Sequence, residues 1–114
     1  MKYNIEDIGG DIVKSNETYI LKDNKTLNNL VLSSTELHGH QSTRGHSHEG
    51  QEEVYYFISG CGIMDLRYKD GVEKSFNVKP GDVVLIEDGV FHRVHNTNDT
   101  SLYFVCVFDG KRNH

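Results

Sequence analysis

The chain has 114 residues, enough for one domain, and a domain of this length buries roughly two-thirds of its unfolded surface without help from disulfides or a partner. Hydrophobic residues make up 36% of it, which is low for an all-buried α/β core and suits strands that are wet on one face. The net charge of −5 comes with no basic run, which argues against binding to nucleic acid or to an anionic membrane.

No stretch approaches the ~20 apolar residues of a membrane span, and the opening MKYNIEDIGGDIVKS lacks the continuous apolar run of a secretory leader. The expectation is a cytoplasmic protein. The two cysteines, Cys61 and Cys106, form no Cys-x-x-Cys pair, so a zinc ribbon or a thioredoxin-like centre is not indicated. Cys61 sits between two glycines and Cys106 in an apolar run, and no bridge between them is expected.

Residues 1–18 read as an N-terminal arm or a short strand. From there the chain is a series of short β-rich runs separated by turn residues, with Gly frequent, Pro nearly absent and no helical periodicity. The predicted strands are 19–21, 29–37, 53–59, 62–68, 73–78, 83–86, 92–96 and 102–108. Lys69-Asp70-Gly71 separates two alternating runs as a hairpin turn. Pro80-Gly81-Asp82 and Asn96-Thr97-Asn98-Asp99 read as further turns. The spacing is that of a β-barrel or sandwich over residues 19–110, with 111–114 as a tail. Segment 38–52 is polar, rich in His and Gly, and reads as a loop entering a strand.

Seven histidines is a high count for this length, and four of them form two His-x-His pairs, His38/His40 and His46/His48. On a strand, residues i and i+2 face the same side, so one such pair can offer two imidazoles to one point. Past His48 come four residues, Glu53, six residues and Gly60. Further on, Gly81 is followed by five residues, then Glu87, Asp88, Gly89, two residues, His92, three residues and Asn96.

Together these two stretches resemble the paired signature motifs of the cupin superfamily, G-x5-HxH-x3,4-E-x6-G and G-x5-P-x-G-x2-H-x3-N. The match runs from Gly39 to Asn96. It departs from the pattern by one extra residue between Gly39 and His46 and by Glu87 in place of Pro. The resemblance implies an all-β, single-domain cupin β-barrel, also described as a double-stranded β-helix or jelly roll. It also implies His46, His48, Glu53 and His92 as ligands of one divalent transition metal. Three imidazoles and one carboxylate suit Fe, Mn, Ni, Zn or Cu and leave positions open for water or substrate. Glu52 also fits a looser form of the first motif, and Gly60 at its six-residue spacing favours Glu53. His38 and His40 are candidates for a rival site. His95 is out of phase with His92 and should face away, and His114 is terminal.

Residues in phase with the ligands should line the pocket: Tyr55 and Phe57 after Glu53, Val94 and Asn96 after His92, and either Tyr103 or Phe104 from the last strand. Tyr55 is a candidate acid or base. Thr43 and Arg44 precede the first ligand, and Arg67 and Arg93 lie on strands. An arginine beside the metal would grip a carboxylate or phosphate through two parallel hydrogen bonds.

Within the superfamily, Thr43-Arg44-Gly45-His46-Ser47-His48, Glu53-Val54-Tyr55, Pro80 to Ile86, His92 to Asn96 and the ending Leu102 to Phe108 resemble the cupin-type sugar-phosphate isomerases. That resemblance implies a metal-dependent isomerase or epimerase of a small phosphorylated or nucleotide-linked sugar. In it, Glu53 or Tyr55 carries the proton and Thr43 and Arg44 lie near the phosphate. The same ligand set is also similar to that of cupin dioxygenases and small cupin lyases acting on organic acids. A barrel that only binds a small molecule or metal is a third reading. The expected partners are a small-molecule substrate and a second copy of the chain, since cupins commonly dimerise and Tyr56 is an outward aromatic.

Overall fold

A computed structural model describes residues 1–47 and 49–110, in which there are nine strands and no helix. They are β1 (Asp11–Ser15), β2 (Tyr19–Asn24), β3 (Leu30–Leu37), β4 (Glu53–Ser59), β5 (Gly62–Arg67), β6 (Glu73–Val78), β7 (Val83–Ile86), β8 (Phe91–His95) and β9 (Leu102–Asp109). Six form one antiparallel sheet in the order β1-β2-β3-β9-β4-β7, and three form a second in the order β6-β5-β8. This is the all-β jelly roll that the sequence pattern predicts.

The registers explain why the interior is ordered in rows. Leu21 lies opposite Thr35, Thr35 opposite Phe104, and Phe104 opposite Phe57. The next row runs Asp23, Ser33, Cys106, Tyr55 and Val84. A third runs Val31, Phe108, Glu53 and Ile86. Because alternate residues of a strand face opposite sides, these three rows all point to the inner face of the large sheet. They meet Met64, Leu66, Val78 and Val94 of the small sheet in one core. Phe57, Leu37, Met64 and Leu102 are fully buried there.

The turns follow local chemistry. Val72 N–H donates to Asp70 Oδ1 at 3.0 Å. Asp82 caps the turn before β7, its carboxylate accepting from Lys79 N–H at 2.9 Å. Asn96 does face inward, and its side-chain amide donates to the carbonyls of Leu37, His38 and Thr100. Its work is to tie loops together.

The structure sets the bounds of these elements. The segment read as an arm or strand contains β1, a strand whose five residues are all exposed and whose pairing with β2 shifts register between Ile12 and Lys14, so it shows no clean alternation. β2 runs on to Asn24, and β8 starts one residue early, at Phe91. Cys61 and Cys106 are free, one exposed and one buried. The tail 111–114, with His114, lies outside the described residues.

Phe57→Ala should lower unfolding stability by ~3–5 kcal/mol, as a large cavity in a packed core does. Leu27→Ala, at a residue 58% exposed, should change it by less than ~0.5 kcal/mol. Urea titration checks both, and equal losses would contradict this assignment of the core.

Candidate metal centre

His46 and His92 come together through backbone pairing. The segment 41–46 lies along the free edge of β8 as an irregular extra strand: Asn96 N–H donates to Gln41 O, Thr43 N–H to Val94 O, and His46 and His92 exchange hydrogen bonds at 3.2 and 3.0 Å. Thr43 Oγ1 accepts from Val94 N–H at 3.0 Å. Gly45 allows the close approach: its φ is +84°, and a β-carbon there would lie 2.5 Å from the Phe91 ring. On the far side of β8, His95 bridges Ser42 and Asp65 through contacts of 2.6 Å each, locking the same segment in place. Ser75, with His95 and Arg93, holds the Asp65 carboxyl down to about 2 against the opposing effect of burial.

The large sheet brings Glu53 to this pair. Its carboxylate is 3.6 Å from His46 Nε2 through one oxygen and 3.6 Å from His92 Nε2 through the other. One ligand atom from each of the three residues can be chosen so that all lie within 4.8 Å of one another. These separations are too long for hydrogen bonds and suit atoms that each lie ~2.1 Å from a shared ion. The fourth expected ligand, His48, lies outside the described residues. Glu52 is exposed whereas Glu53 is buried, so of the two only Glu53 faces the histidines.

The tautomer of His92 supports a cation here. His92 Nδ1 lies 3.1 Å from Val90 O, and a carbonyl can only accept, so Nδ1 carries the proton. Nε2 is then a bare lone pair, buried and without a hydrogen-bond partner among the described residues, and it points at Glu53. An imidazole fixed by a carbonyl on one nitrogen and open on the other is the arrangement of a metal ligand. The residues present therefore fit a divalent ion.

Around this group is a cavity of about 160 Å³. The Tyr55 ring stacks on Phe104 at 5.4 Å and meets the His92 ring edge-on at 5.5 Å. Burial, then the neighbouring Cys106 and Glu53, push the Tyr55 phenol well above its usual range, so it is held protonated. Phe104 lines the wall, while Tyr103 turns outward and donates to Ile5 O. Thr43 and Arg44 both line the cavity as expected. Arg67 and Arg93 do not: one stacks on Phe91 and the other pairs with Asp65. His38 and His40 sit at a turn rather than on a strand, and His40 pairs with Asp99 at the surface. The spacing that would aim both at one point is absent there. Asp23, Ser33 and Thr35 also line the cavity and were missed. Ser33 and Thr35 lie on a predicted strand and Asp23 just past the predicted end of β2, and only the cross-strand register aligns them with Cys106 and Phe104.

Residues 34–108 match the cupin domain family. The chain is a cupin. It is 37% identical over 62 residues to the oxalate-binding protein of Thermotoga maritima, covering 54% of this cupin and 47% of that protein. It is 34% identical over 74 residues to the glucose-6-phosphate isomerase of Thermococcus onnurineus, covering 63% and 39%. To the oxalate decarboxylase of Bacillus subtilis it is 32% identical over 109 residues, covering 91% and 26%. The cupin thus spans less than half the length of each of these relatives. Among solved structures it is similar to the Bacillus subtilis oxalate decarboxylase studied for its Mn(II) centres, with a TM-score of 0.81 at 23% identity, covering 91% of this cupin and 29% of that chain. That likeness shows the shared fold.

Losing an outer partner of a metal ligand typically costs ~10–100-fold in affinity, so losing a ligand should cost at least as much. Glu53→Gln and His92→Ala should each weaken Mn(II) or Zn(II) binding by ~100-fold or more. Because imidazole ligates only when neutral, metal affinity should also fall as pH is lowered from neutral into the acid range. Competition against a chelating dye measures both. Unchanged affinity in either variant, or across that pH range, would contradict the assignment.

Proposed function

We propose that this cupin is a metal-dependent lyase acting on a small organic acid, with the ion held by His46, His48, Glu53 and His92. The lining of the inner cavity carries this reading. His46, Glu53 and His92 stand against a wall of Tyr55, Phe104 and Phe108. The carboxylate head of a small acid would meet the ion there, with its remaining carbons against apolar rings. Relatives that act on or bind oxalate support the same class.

The bound ion would supply positive charge that binds the acid's carboxylate and stabilises negative charge developing on it. The chain's own residues do the rest. Arg44 stands at the rim and Thr43 keeps a hydroxyl hydrogen free to donate after its oxygen has accepted from Val94. Phe104 and Phe108 give the cavity an apolar wall that limits water. Tyr55, protonated and beside Glu53, is placed to give its phenolic proton to the carbon that keeps the bonding electron pair as carbon dioxide leaves the acid, and the phenolate regains a proton from solvent. Two free thiols suit a cytoplasmic setting.

The isomerase reading keeps one specific support, the identity to glucose-6-phosphate isomerases. On that reading the phosphorylated end of the sugar lies outside the inner cavity. A homodimer is also part of this proposal. Val54, Tyr56, Val83 and Leu85 are all at least 41% exposed and lie opposite one another on the outer face of β4 and β7, an apolar patch that a second copy would cover. Light scattering should give twice the chain mass, and a stable monomer at micromolar concentration would rule the dimer out.

Metal-loaded protein should bind oxalate or a β-substituted small acid stoichiometrically by calorimetry, bind neither once the metal is removed, and cleave its substrate without oxygen. Tyr55→Phe should retain the metal and lose ~100-fold or more in turnover. Interconversion of glucose and fructose 6-phosphates with no binding of small acids would replace this reading with the isomerase.

A further inference from the structure

We propose that the β1–β2 hairpin, which lies outside the family match, completes the site with an outer anion-binding subsite formed by Lys14 and Arg44. The inference rests on the inner-site reading above and names its substrate class. The ligand is a bifunctional acid, with one carboxylate at the metal and a second anionic group at the mouth.

A vestibule of about 580 Å³ adjoins the inner cavity. The two share Tyr19, Arg44, Gly45 and His46 in their walls, so they are continuous across the rim. His46, with its side chain 42% exposed, stands where they meet, whereas Glu53 and His92 are buried behind it. A ligand bound in the inner cavity can therefore extend into this vestibule.

The charge of its lining decides what it attracts. Lys14 comes from β1, Asn16 and Thr18 from the turn into β2, and Ser42 and Arg44 from the segment paired to β8. Among the described residues no carboxylate lines it. Neither Lys14 nor Arg44 has an ion-pair partner among the described residues. The neutral side chains around them are hydroxyls and an amide, and the Asn16 carbonyl is already used to accept from Thr18 and Tyr19 N–H, leaving its NH2 group to donate outward. In a chain of net charge −5, two cations without an ion-pair partner among the described residues and several donors are gathered at an opening beside His46. Such a funnel concentrates anions and orients a charged tail. The inner cavity takes only the head of the ligand, and the vestibule receives the remainder.

The distal group can be a carboxylate or a phosphate, and matched pairs of probes separate the two. Malate and lactate differ by a distal carboxylate, 3-phosphoglycerate and glycerate by a distal phosphate. Affinities for the metal-loaded protein are measured by calorimetry at constant ionic strength for wild type, Lys14→Gln and, as a charge control away from the vestibule, Lys25→Gln. Lys14→Gln should weaken the member with the distal anion roughly fivefold to tenfold, as loss of a charge-assisted hydrogen bond at a partly exposed site does. It should leave the short partner and metal affinity unchanged, and Lys25→Gln should behave as wild type. Equal effects on long and short acids, or equal effects of the two lysine variants, would overturn the proposal.

A second measurement separates failure of the subsite from failure of the inner reading. Inorganic phosphate titrated into metal-free protein should shift the amide resonances of Lys14, Thr18 and Arg44. If it does so while no organic acid binds the metal-loaded form, the inner reading fails and the anion subsite stands. If phosphate leaves those resonances unmoved, the subsite is refuted.

Discussion

His46 and His92 exchange backbone hydrogen bonds across the edge of the small sheet, and the site is assembled on that pairing. It joins residues far apart in sequence, and it holds a segment that would otherwise be free loop. Three further ties secure it: the Thr43–Val94 bonds, the Ser42–His95–Asp65 chain, and the contact of Gly45 with Phe91. Metal ligands must be held before the ion arrives if affinity is not to be lost in ordering them. Here the ordering is done by backbone pairing and buried packing.

The second requirement is that the large sheet deliver a carboxylate to the same point. Strand register accomplishes this. Glu53 shares a row with Phe108 and Ile86, so the carboxylate is flanked by apolar side chains and buried. A carboxylate in such surroundings is costly without a compensating cation, and the adjacent row supplies Tyr55 as a protonated neighbour. The same arrangement therefore favours an ion and keeps a proton donor beside it. The two sheets meet at this candidate metal centre.

Much of this was legible in the sequence. Alternation and turn residues located eight of the nine strands, and the separations His46 to Glu53 to Gly60 and Gly81 to His92 to Asn96 marked the ligand segments. Gly60 favoured Glu53 over Glu52, and Glu53 is the one buried beside His46 and His92. What the sequence did not carry was register. Asp23, Ser33 and Thr35 become pocket residues only because β2 and β3 pair in a particular alignment with β9. The bounds of β1 were not legible, because a strand exposed on both faces has no alternation to betray it. The His38/His40 pair failed as a site for the converse reason: the chain turns there, with His40 at a φ of +59°, so the two-residue spacing loses its geometric meaning.

Anomalous diffraction from crystals grown with Mn(II) tests the central claim most directly. The account predicts a single strong peak ~2.0–2.3 Å from His46 Nε2, His92 Nε2 and a Glu53 carboxylate oxygen. A fully loaded crystal whose manganese peak lies anywhere else, with those three side chains bridged only by water, would contradict it.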